Sequence, residues 1–324
     1  MISPKLENSA PATPGRLLVR VVGVGLTLLG VLFTGLVLLE NDALSRLSWG
    51  ARPWAFLFLT CGAYALLSVL LVVVWATILD AFAPGCIGAK DAYALYATTQ
   101  IMKYIPSNVV HFVGRHVALR RRGVSHLALI ATVFGEAAIL VCGACLTVLT
   151  LEPDVLSAVY GRYVRWENAP IIVAVGLAFC LCTALTWLRS ASLRRAVSIG
   201  MHRRLVPRLA VAVAAAAVFF ASTTLLVSMV CRLLLDDPAG FSTGSVAATL
   251  AGAWIVGFMI PGASAGIGVR EAAVILLLSP AVGAANAAVI ATIYRIVTAG
   301  GDALLAGSGG LVRRFVAGPA PQQR

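Results

Sequence analysis

A proline-interrupted segment in the first half of the chain gathers side chains that can bind an anion. Residues 103–115 read KYIPSNVVHFVGR. The cations and hydrogen-bonding side chains of this segment are Lys103, Tyr104, Asn108, His111 and Arg115. A helix that begins after Pro106 would direct free backbone N–H groups toward Ser107 and Asn108. The combination suits a phosphate or another anionic headgroup, but ordinary snorkelling of basic side chains at a membrane interface is a second interpretation.

A second break reads PGASAGIGVRE at residues 261–271. Its GxSxG string is typical of a nucleophile elbow only on an α/β sheet, and the sequence predicts no strands. We therefore interpret the glycines as a closely packed helix break. A half-helix is predicted to begin near Arg270, whose guanidinium is suited to a lipid phosphate. Glu271 points about 100° away on that helix, and Arg295 is its expected partner.

Ionisable residues also occur inside the apolar sequence. Glu136 interrupts one long apolar run, and Arg295 and Asp302 lie seven residues apart in the last one, on a shared helix face. Each costs about 2.5–3.5 kcal/mol at the centre of a membrane helix. We predict that Glu136 is buried and paired with Arg115 or Arg270. These groups either neutralise one another in a buried network or bind substrate, and the two roles are compatible.

The composition restricts the class of protein to one with membrane-spanning elements. The chain has 324 residues, of which 60% are hydrophobic and 12% charged, with a mean hydropathy of +0.94. A soluble domain has about twice that charge, so a cytosolic enzyme and a disordered chain are excluded. The net charge is +12, and the basic residues lie between long apolar runs. This distribution is typical of an integral membrane protein rather than a nucleic-acid-binding domain.

Long runs with little charge predict the membrane helices. Before Asp237 they occupy residues 21–39, 55–79, 127–151, 169–188 and 209–231. The predicted fold is an all-α polytopic membrane protein with about six to eight transmembrane helices and two proline/glycine-broken re-entrant elements. Residues 16–316 form a single integral membrane domain, and residues 1–15 and 317–324 form cytoplasmic tails.

The two broken regions each allow a second interpretation. The C-terminal third contains either three full crossings or one crossing plus a re-entrant hairpin from outside, and the short pieces at 245–260 and 270–278 favour the hairpin. The stretch 91–119 is either a second hairpin, from inside, or an amphipathic helix on the membrane surface. Two hairpins from opposite faces would suggest an inverted arrangement around a site at the midplane.

The distribution of basic residues predicts the orientation of the chain in the membrane. Of the 25 lysines and arginines, 18 lie in the two termini and in the alternate loops 90–122 and 189–208. The opposite side carries five, including Arg162 and Arg165 in the loop 152–167. The positive-inside rule then places both termini in the cytoplasm and the loop 152–167 outside.

The two breaks and the acidic residue between them resemble the lysylphosphatidylglycerol synthase transmembrane-region family. The similar residues are Tyr104, Pro106, Arg115, Glu136, Pro261, Gly262, Gly268, Arg270 and Glu271. Ser107 stands where glycine is usual, and the second turn is longer by Ala-Ser-Ala-Gly. In multiple peptide resistance factors this membrane domain moves aminoacylated phospholipid across the bilayer, and other relatives are linked to polyprenyl-phosphate sugars and hopanoid lipids.

The resemblance implies a multi-pass protein of the bacterial cell (inner) membrane that acts as a lipid flippase or transporter. Its partners would be the bilayer and a lipid with an anionic or zwitterionic headgroup, with no nucleic acid; a homodimer is compatible with the sequence. We expect no cofactor and no metal, and no GxxxxGK[ST] motif for ATP is present. The alternatives are a polytopic glycosyltransferase, with Glu40 or Asp42 as base, and a membrane scaffold without transport.

Overall fold

The computed structural model describes residues 51–105, 109–152, 199–235, 241–260 and 264–317, with scattered residues between 25 and 39. Within these ranges the regular structure is helical and contains no β-strand, which confirms the all-α class. Several predictions lie outside the described residues, wholly or in large part. They concern the runs 21–39 and 169–188, the terminal tails, the loop 152–167, the acidic pair Glu40 and Asp42, and the residues Pro106, Ser107, Asn108, Pro261 and Gly262.

The N-terminal half of the described chain begins with an almost continuous pair of helices. Ser68 separates them, but its N–H still donates to the Tyr64 carbonyl over 2.9 Å, so the axis continues. The fifth helix begins at a serine cap, where the Ser125 hydroxyl accepts from the Ala128 N–H. These helices are α1 (Ala51–Leu67), α2 (Val69–Phe82), α3 (Ala89–Gln100), α4 (Val110–Arg120) and α5 (His126–Leu151).

The C-terminal half contains two long helices and two short ones. The long helices are α6 (Ile199–Leu234) and α9 (Ala284–Ala317), and the short ones are α7 (Thr243–Met259) and α8 (Val269–Val282). Ser242 caps α7 by accepting from the Ser245 N–H. Gly283, at φ 82°, separates α8 from α9, because that backbone conformation cannot continue a right-handed helix.

Four described helical segments are long and apolar enough to cross a membrane. They are Trp54–Phe82, which combines α1 and α2, His126–Leu151, Pro207–Leu234 and Ala284–Arg314. The predicted runs 55–79, 127–151 and 209–231 are thereby confirmed as long apolar helices. Large apolar side chains cover the outer surface, for example Phe58 and Leu66 on α1, which are 72% and 73% exposed. Such a surface indicates a membrane-embedded protein.

Helix α9 lies at the centre of the described bundle and packs against α1, α3 and α8. Small residues allow the close approach, as in other membrane helix pairs. At Gly301 a Cβ atom would lie 2.2 Å from the Tyr64 ring of α1, and at Gly309 it would lie 2.5 Å from Ala97 of α3. Asp302, next to Gly301, is consequently buried with 0% exposure.

Candidate functional site

The described parts of the two predicted breaks lie next to each other in the structure. After α3 the chain forms a 3₁₀ turn at Ile101–Tyr104, and before α8 it forms another at Ser264–Gly266. The two turns contact one another, and the first also contacts α9. Ile105 is extended, with ψ 134°, because a following proline disfavours the helical conformation. The sequence segments that we predicted to bind an anion are therefore neighbours.

The first turn places two side chains on the buried carboxylate of α9. Lys103 Nζ lies 2.7 Å from Asp302 Oδ2, and the Tyr104 hydroxyl donates to the same oxygen over 2.7 Å. The Lys103 side chain is 14% exposed and that of Asp302 only 1%. The second carboxylate oxygen, Oδ1, is buried and has no hydrogen-bond partner among the described residues.

The second break begins a helix at Val269, as the sequence predicts. Gly268 adopts φ 83°, a conformation that glycine tolerates, and its N–H donates to Glu271 Oε2 over 2.7 Å. The other oxygen of Glu271 accepts from Arg295 Nε. The prediction that Glu271 pairs with Arg295 is confirmed. The backbone N–H of Gly268, at the start of α8, is therefore occupied by Glu271 and is not free for a ligand.

Arg270 differs from Arg295 because it has no carboxylate partner among the described residues. The residue is 8% exposed, its Nε has no hydrogen-bond partner within the described ranges, and its guanidinium carbon lies 5.6 Å from the centre of the Trp254 ring. Two glycines make room for its side chain. A Cβ at Gly257 would lie 2.3 Å from Arg270 Cγ, and one at Gly266 would lie 2.6 Å from Arg270 Nε.

The side chains around the two turns carry one more positive than negative charge. The buried carboxylates Glu271 and Asp302 are bound by Arg295 and Lys103, and Arg270 adds a further charge. Lys103 lies within electrostatic range of both arginines. A buried cation without a counter-ion is costly, so this cluster is suited to receive an anion. We call Lys103, Tyr104, Arg270, Glu271, Arg295 and Asp302 the open cluster.

A second buried ion pair connects α4 to α5. Arg115 Nη1 donates to both oxygens of Glu136, over 3.0 and 3.1 Å. The two side chains are 4% and 2% exposed. This confirms the prediction that Glu136 is buried and paired, with Arg115 rather than Arg270 as its partner. Aromatic rings surround the guanidinium carbon, at 4.5 Å for Tyr96, 5.2 Å for Phe112 and 5.4 Å for Trp75.

His111 lies on the same buried face of α4 as Arg115 and within electrostatic range of Arg115 and Lys103. It is 7% exposed, and its Nδ1 has no hydrogen-bond partner in the part of the chain that the structure describes. The buried Gln100 Oε1 is likewise without a partner there. His111 is therefore within electrostatic range of one cation from the Arg115–Glu136 pair and one from the open cluster.

A third polar contact, nearer the surface, links α4 to the start of α5. His116 Nε2 and His126 Nδ1 are 2.9 Å apart, and the two rings are stacked. Partial burial, followed by the charges of His126 and Arg120, lowers the pKa of His116 below its ordinary value. The neutral form of His116 is thereby favoured in the folded protein.

Several residues of the site were missed by the sequence reasoning. Trp254 and Gly257 of α7 enclose Arg270, and Tyr64 of α1 lies within electrostatic range of Asp302. Trp254 and Gly257 are three residues apart, so they share a helix face, but nothing in an apolar helix indicates which face meets the break. Asn108, which was predicted to take part, lies outside the described residues.

Among the described residues, no group of three or more histidine, cysteine, aspartate or glutamate side chains is placed to hold a metal ion. The chain matches no protein-family model, no curated protein and no solved structure.

Proposed function

We propose that this protein is a transporter, of the flippase type, for a lipid with an anionic or zwitterionic headgroup. A phospholipid and a polyprenyl-phosphate-linked lipid share the chemistry that the site would recognise, which is a phosphate on an apolar tail. One observation carries the proposal: Arg270 is buried at the junction of two helix breaks and has no carboxylate partner within the described chain.

The chemistry of the open cluster favours phosphate. A guanidinium presents two parallel N–H donors that match two phosphate oxygens, and the Lys103 ammonium adds a point charge. Arg295 retains a buried Nη2 without a partner among the described residues. A phosphate in contact with Arg270 would balance the excess positive charge. The apolar outer surface would keep the lipid tails in the bilayer.

The lengths of the broken helices support re-entrant elements. Helices α7 and α8 have 17 and 14 residues, so they extend about 25 and 21 Å, less than the roughly 30 Å of a hydrocarbon core. Helices α3 and α4 are shorter still. We propose that each pair forms a hairpin and that the two hairpins enter from opposite faces to meet at the open cluster.

The polarity of α4 supports a helix that enters the membrane rather than one that lies on its surface, with His116 and the exposed Arg120 at the end that meets water. Val109, just before the helix, and Val113 and Val117 within it are 51%, 53% and 45% exposed. His111 and Arg115 lie on the opposite, buried face. A helix on the membrane surface would turn its charged face to water, whereas α4 turns its apolar face outward.

The proposed orientation has both termini and the loop 189–208 in the cytoplasm, in the bacterial inner membrane. Single cysteines at positions 157 and 198, introduced into a variant without native cysteines, test it with a membrane-impermeant thiol reagent on intact cells. Ser157→Cys should react and Ser198→Cys should not. The reverse pattern of labelling would contradict the orientation.

The similarity of the breaks to the lysylphosphatidylglycerol synthase transmembrane-region family supports a lipid substrate and remains a prediction. The direct test is headgroup movement in liposomes that contain the purified protein and a fluorescent phosphatidylglycerol. Arg270→Ala should reduce transport at least tenfold. Arg270→Lys should reduce it less, because the charge remains while the paired donors are lost.

The matched control is Arg313→Ala, which removes an exposed arginine from the end of α9. It should transport at the wild-type rate. Circular dichroism and thermal melting should show that Arg270→Ala remains folded. Undiminished transport by a folded Arg270→Ala variant would refute the proposed role of Arg270, and absence of transport by the wild-type protein would refute a flippase for this lipid.

A further inference from the structure

The buried carboxylates of the described chain differ in how completely their oxygens are bound. Both oxygens of Glu136 accept from Arg115 Nη1. Glu271 accepts from Arg295 through one oxygen and from the Gly268 N–H through the other. Asp302 binds Lys103 and Tyr104 through Oδ2 alone, and its Oδ1 has no hydrogen-bond partner among the described residues.

The cation that neutralises Asp302 is also the one best placed to change partner. Lys103 belongs to a short 3₁₀ turn next to a proline, whereas Arg115 lies in the middle of a helix and is enclosed by three aromatic rings. An ammonium on a flexible stem reorients more readily than an enclosed guanidinium. Lys103 lies within electrostatic range of Arg270, where the proposed phosphate would bind.

The surroundings of Asp302 contain few other groups that can neutralise it. Its electrostatic neighbours are mostly phenols, with Arg270 and Arg295 near Lys103 and Tyr104. On α6, Arg208 pairs with Asp80 and Arg232 is exposed. Among the described residues, the titratable groups within electrostatic range of Asp302 are Lys103 and Tyr104 from the turn, Tyr64 from α1, Tyr96 from α3 and Tyr294 from α9. Arg270 and Glu271 of α8 are within the same range of Tyr294.

We infer that Asp302 takes up a proton when an anionic headgroup binds, so that lipid binding is linked to proton uptake. The inference rests on the proposed function and adds a proton to the binding step of the same site. Lys103 exchanges its hydrogen bond to Asp302 Oδ2 for one to a phosphate oxygen. The buried carboxylate then lacks a cation, and its charged form becomes unfavourable. A proton from hydronium adds to Oδ1, which gives a neutral carboxylic acid and one water molecule.

Proton uptake upon lipid binding tests this step directly. The purified full-length protein is titrated with short-chain phosphatidylglycerol in weakly buffered solution that contains a pH-indicator dye, and calorimetry measures binding in parallel. The wild-type protein should take up one proton for each lipid bound. For Asp302→Asn, the proton uptake per lipid bound should be reduced at least tenfold, because the amide does not titrate.

Two further variants keep the result interpretable. Asp91→Asn changes a partly exposed carboxylate that pairs with Arg122 at the surface, and it should take up protons like the wild type. If Asp302→Asn does not fold, Lys103→Gln replaces it. Without the ammonium there is no cation for Asp302 to lose to the lipid, so the proton uptake per lipid bound should again fall at least tenfold, whatever the affinity.

The outcomes separate this inference from the proposed function. Lipid binding by the wild type without proton uptake would overturn the inference and leave the transporter proposal intact. Undiminished uptake by a folded Asp302→Asn variant would overturn it as well. If the wild type binds no lipid, the proposed function fails, and the coupling step fails with it.

Discussion

The two buried ionic regions of this protein differ in whether their charges are matched. Arg115 and Glu136 form a closed pair in which one cation meets both oxygens of one carboxylate. In the open cluster, Arg270 has no carboxylate within the described chain, and Asp302 has an oxygen without a partner there. Both regions are buried, so burial alone does not explain the difference.

The comparison indicates different roles for similar residues. A matched and enclosed pair is suited to hold α4 against α5, because each charge has a counter-charge, although Arg115 Nε and Nη2 have no hydrogen-bond partner among the described residues. An unmatched cation beside a movable lysine is suited to exchange partners with a ligand. Variants of the closed pair should therefore affect mainly stability, and variants of the open cluster mainly lipid binding or the proton uptake linked to it.

The largest effect is expected from breaking the closed pair. Glu136→Gln removes the counter-charge of Arg115 and should lower the free energy of unfolding by about 3–5 kcal/mol, the usual cost of an uncompensated buried charge. Denaturant unfolding in detergent, followed by circular dichroism, measures it.

The double variant Arg115→Met, Glu136→Leu is the control for that experiment. It removes both charges and keeps an apolar filling, so most of the lost stability should return. If Glu136→Gln unfolds like the wild type but no longer transports lipid, Glu136 belongs with the open cluster and the comparison is wrong.

A smaller loss of stability is expected at the contact between α1 and α9, the helix that contains Arg295 and Asp302 of the open cluster. At Gly301 a Cβ would lie 2.2 Å from the Tyr64 ring and 2.9 Å from the Cys61 carbonyl oxygen. Gly301→Ala should therefore destabilise the protein by about 1–3 kcal/mol, as other overpacked cores do. Gly307→Ala, on the same helix with open space around it, should be neutral or slightly stabilising. Equal unfolding midpoints for the two variants would contradict the close packing.

Much of the helix framework follows from the sequence because a membrane helix is specified by local hydropathy. The runs 127–151 and 209–231 lie within helices, and the glycine at 268 marks the start of α8. Helix geometry also predicted that Glu271 points away from Arg270 and can pair with another helix, for which Arg295 was the proposed partner. The partner of Asp302 was not predicted, because Lys103 is 199 residues away and only the packing of the first turn against α9 brings them together.

The environment of Arg270 shows why the sequence alone could not predict the remaining residues of the site. The space for the Arg270 side chain depends on Gly257, which lies on another helix and whose role no local sequence pattern indicates.

Gly257→Ala should displace the Arg270 side chain and weaken phosphatidylglycerol binding about tenfold, equivalent to about 1.4 kcal/mol. Gly252→Ala, on the same helix with nothing within 4 Å of its Cβ, is the matched control and should bind normally. Similar calorimetric affinities for both variants would show that Arg270 does not need that position.

The smallest effect is expected at the more exposed histidine contact between α4 and α5, which serves as a reference for both buried regions. The pKa of His116 is lowered in the folded state by partial burial and by His126 and Arg120. In the unfolded chain this histidine takes up a proton as the pH falls below about 6.5, whereas in the folded protein it does so only at a lower pH. The stability that neutral His116 contributes is therefore complete above about pH 6.5 and is lost as the pH falls toward the lowered pKa of the folded state.

Thermal unfolding of the wild type and of His116→Gln at pH 7.5 and 5.5 measures this loss of stability. The wild type should lose more stability between the two conditions than the variant, by less than about 1 kcal/mol, because solvent screens the exposed side of the contact. An equal loss in the two proteins would show that His116 does not titrate in this range, and a loss comparable with that of Glu136→Gln would remove the distinction between buried and exposed contacts on α4.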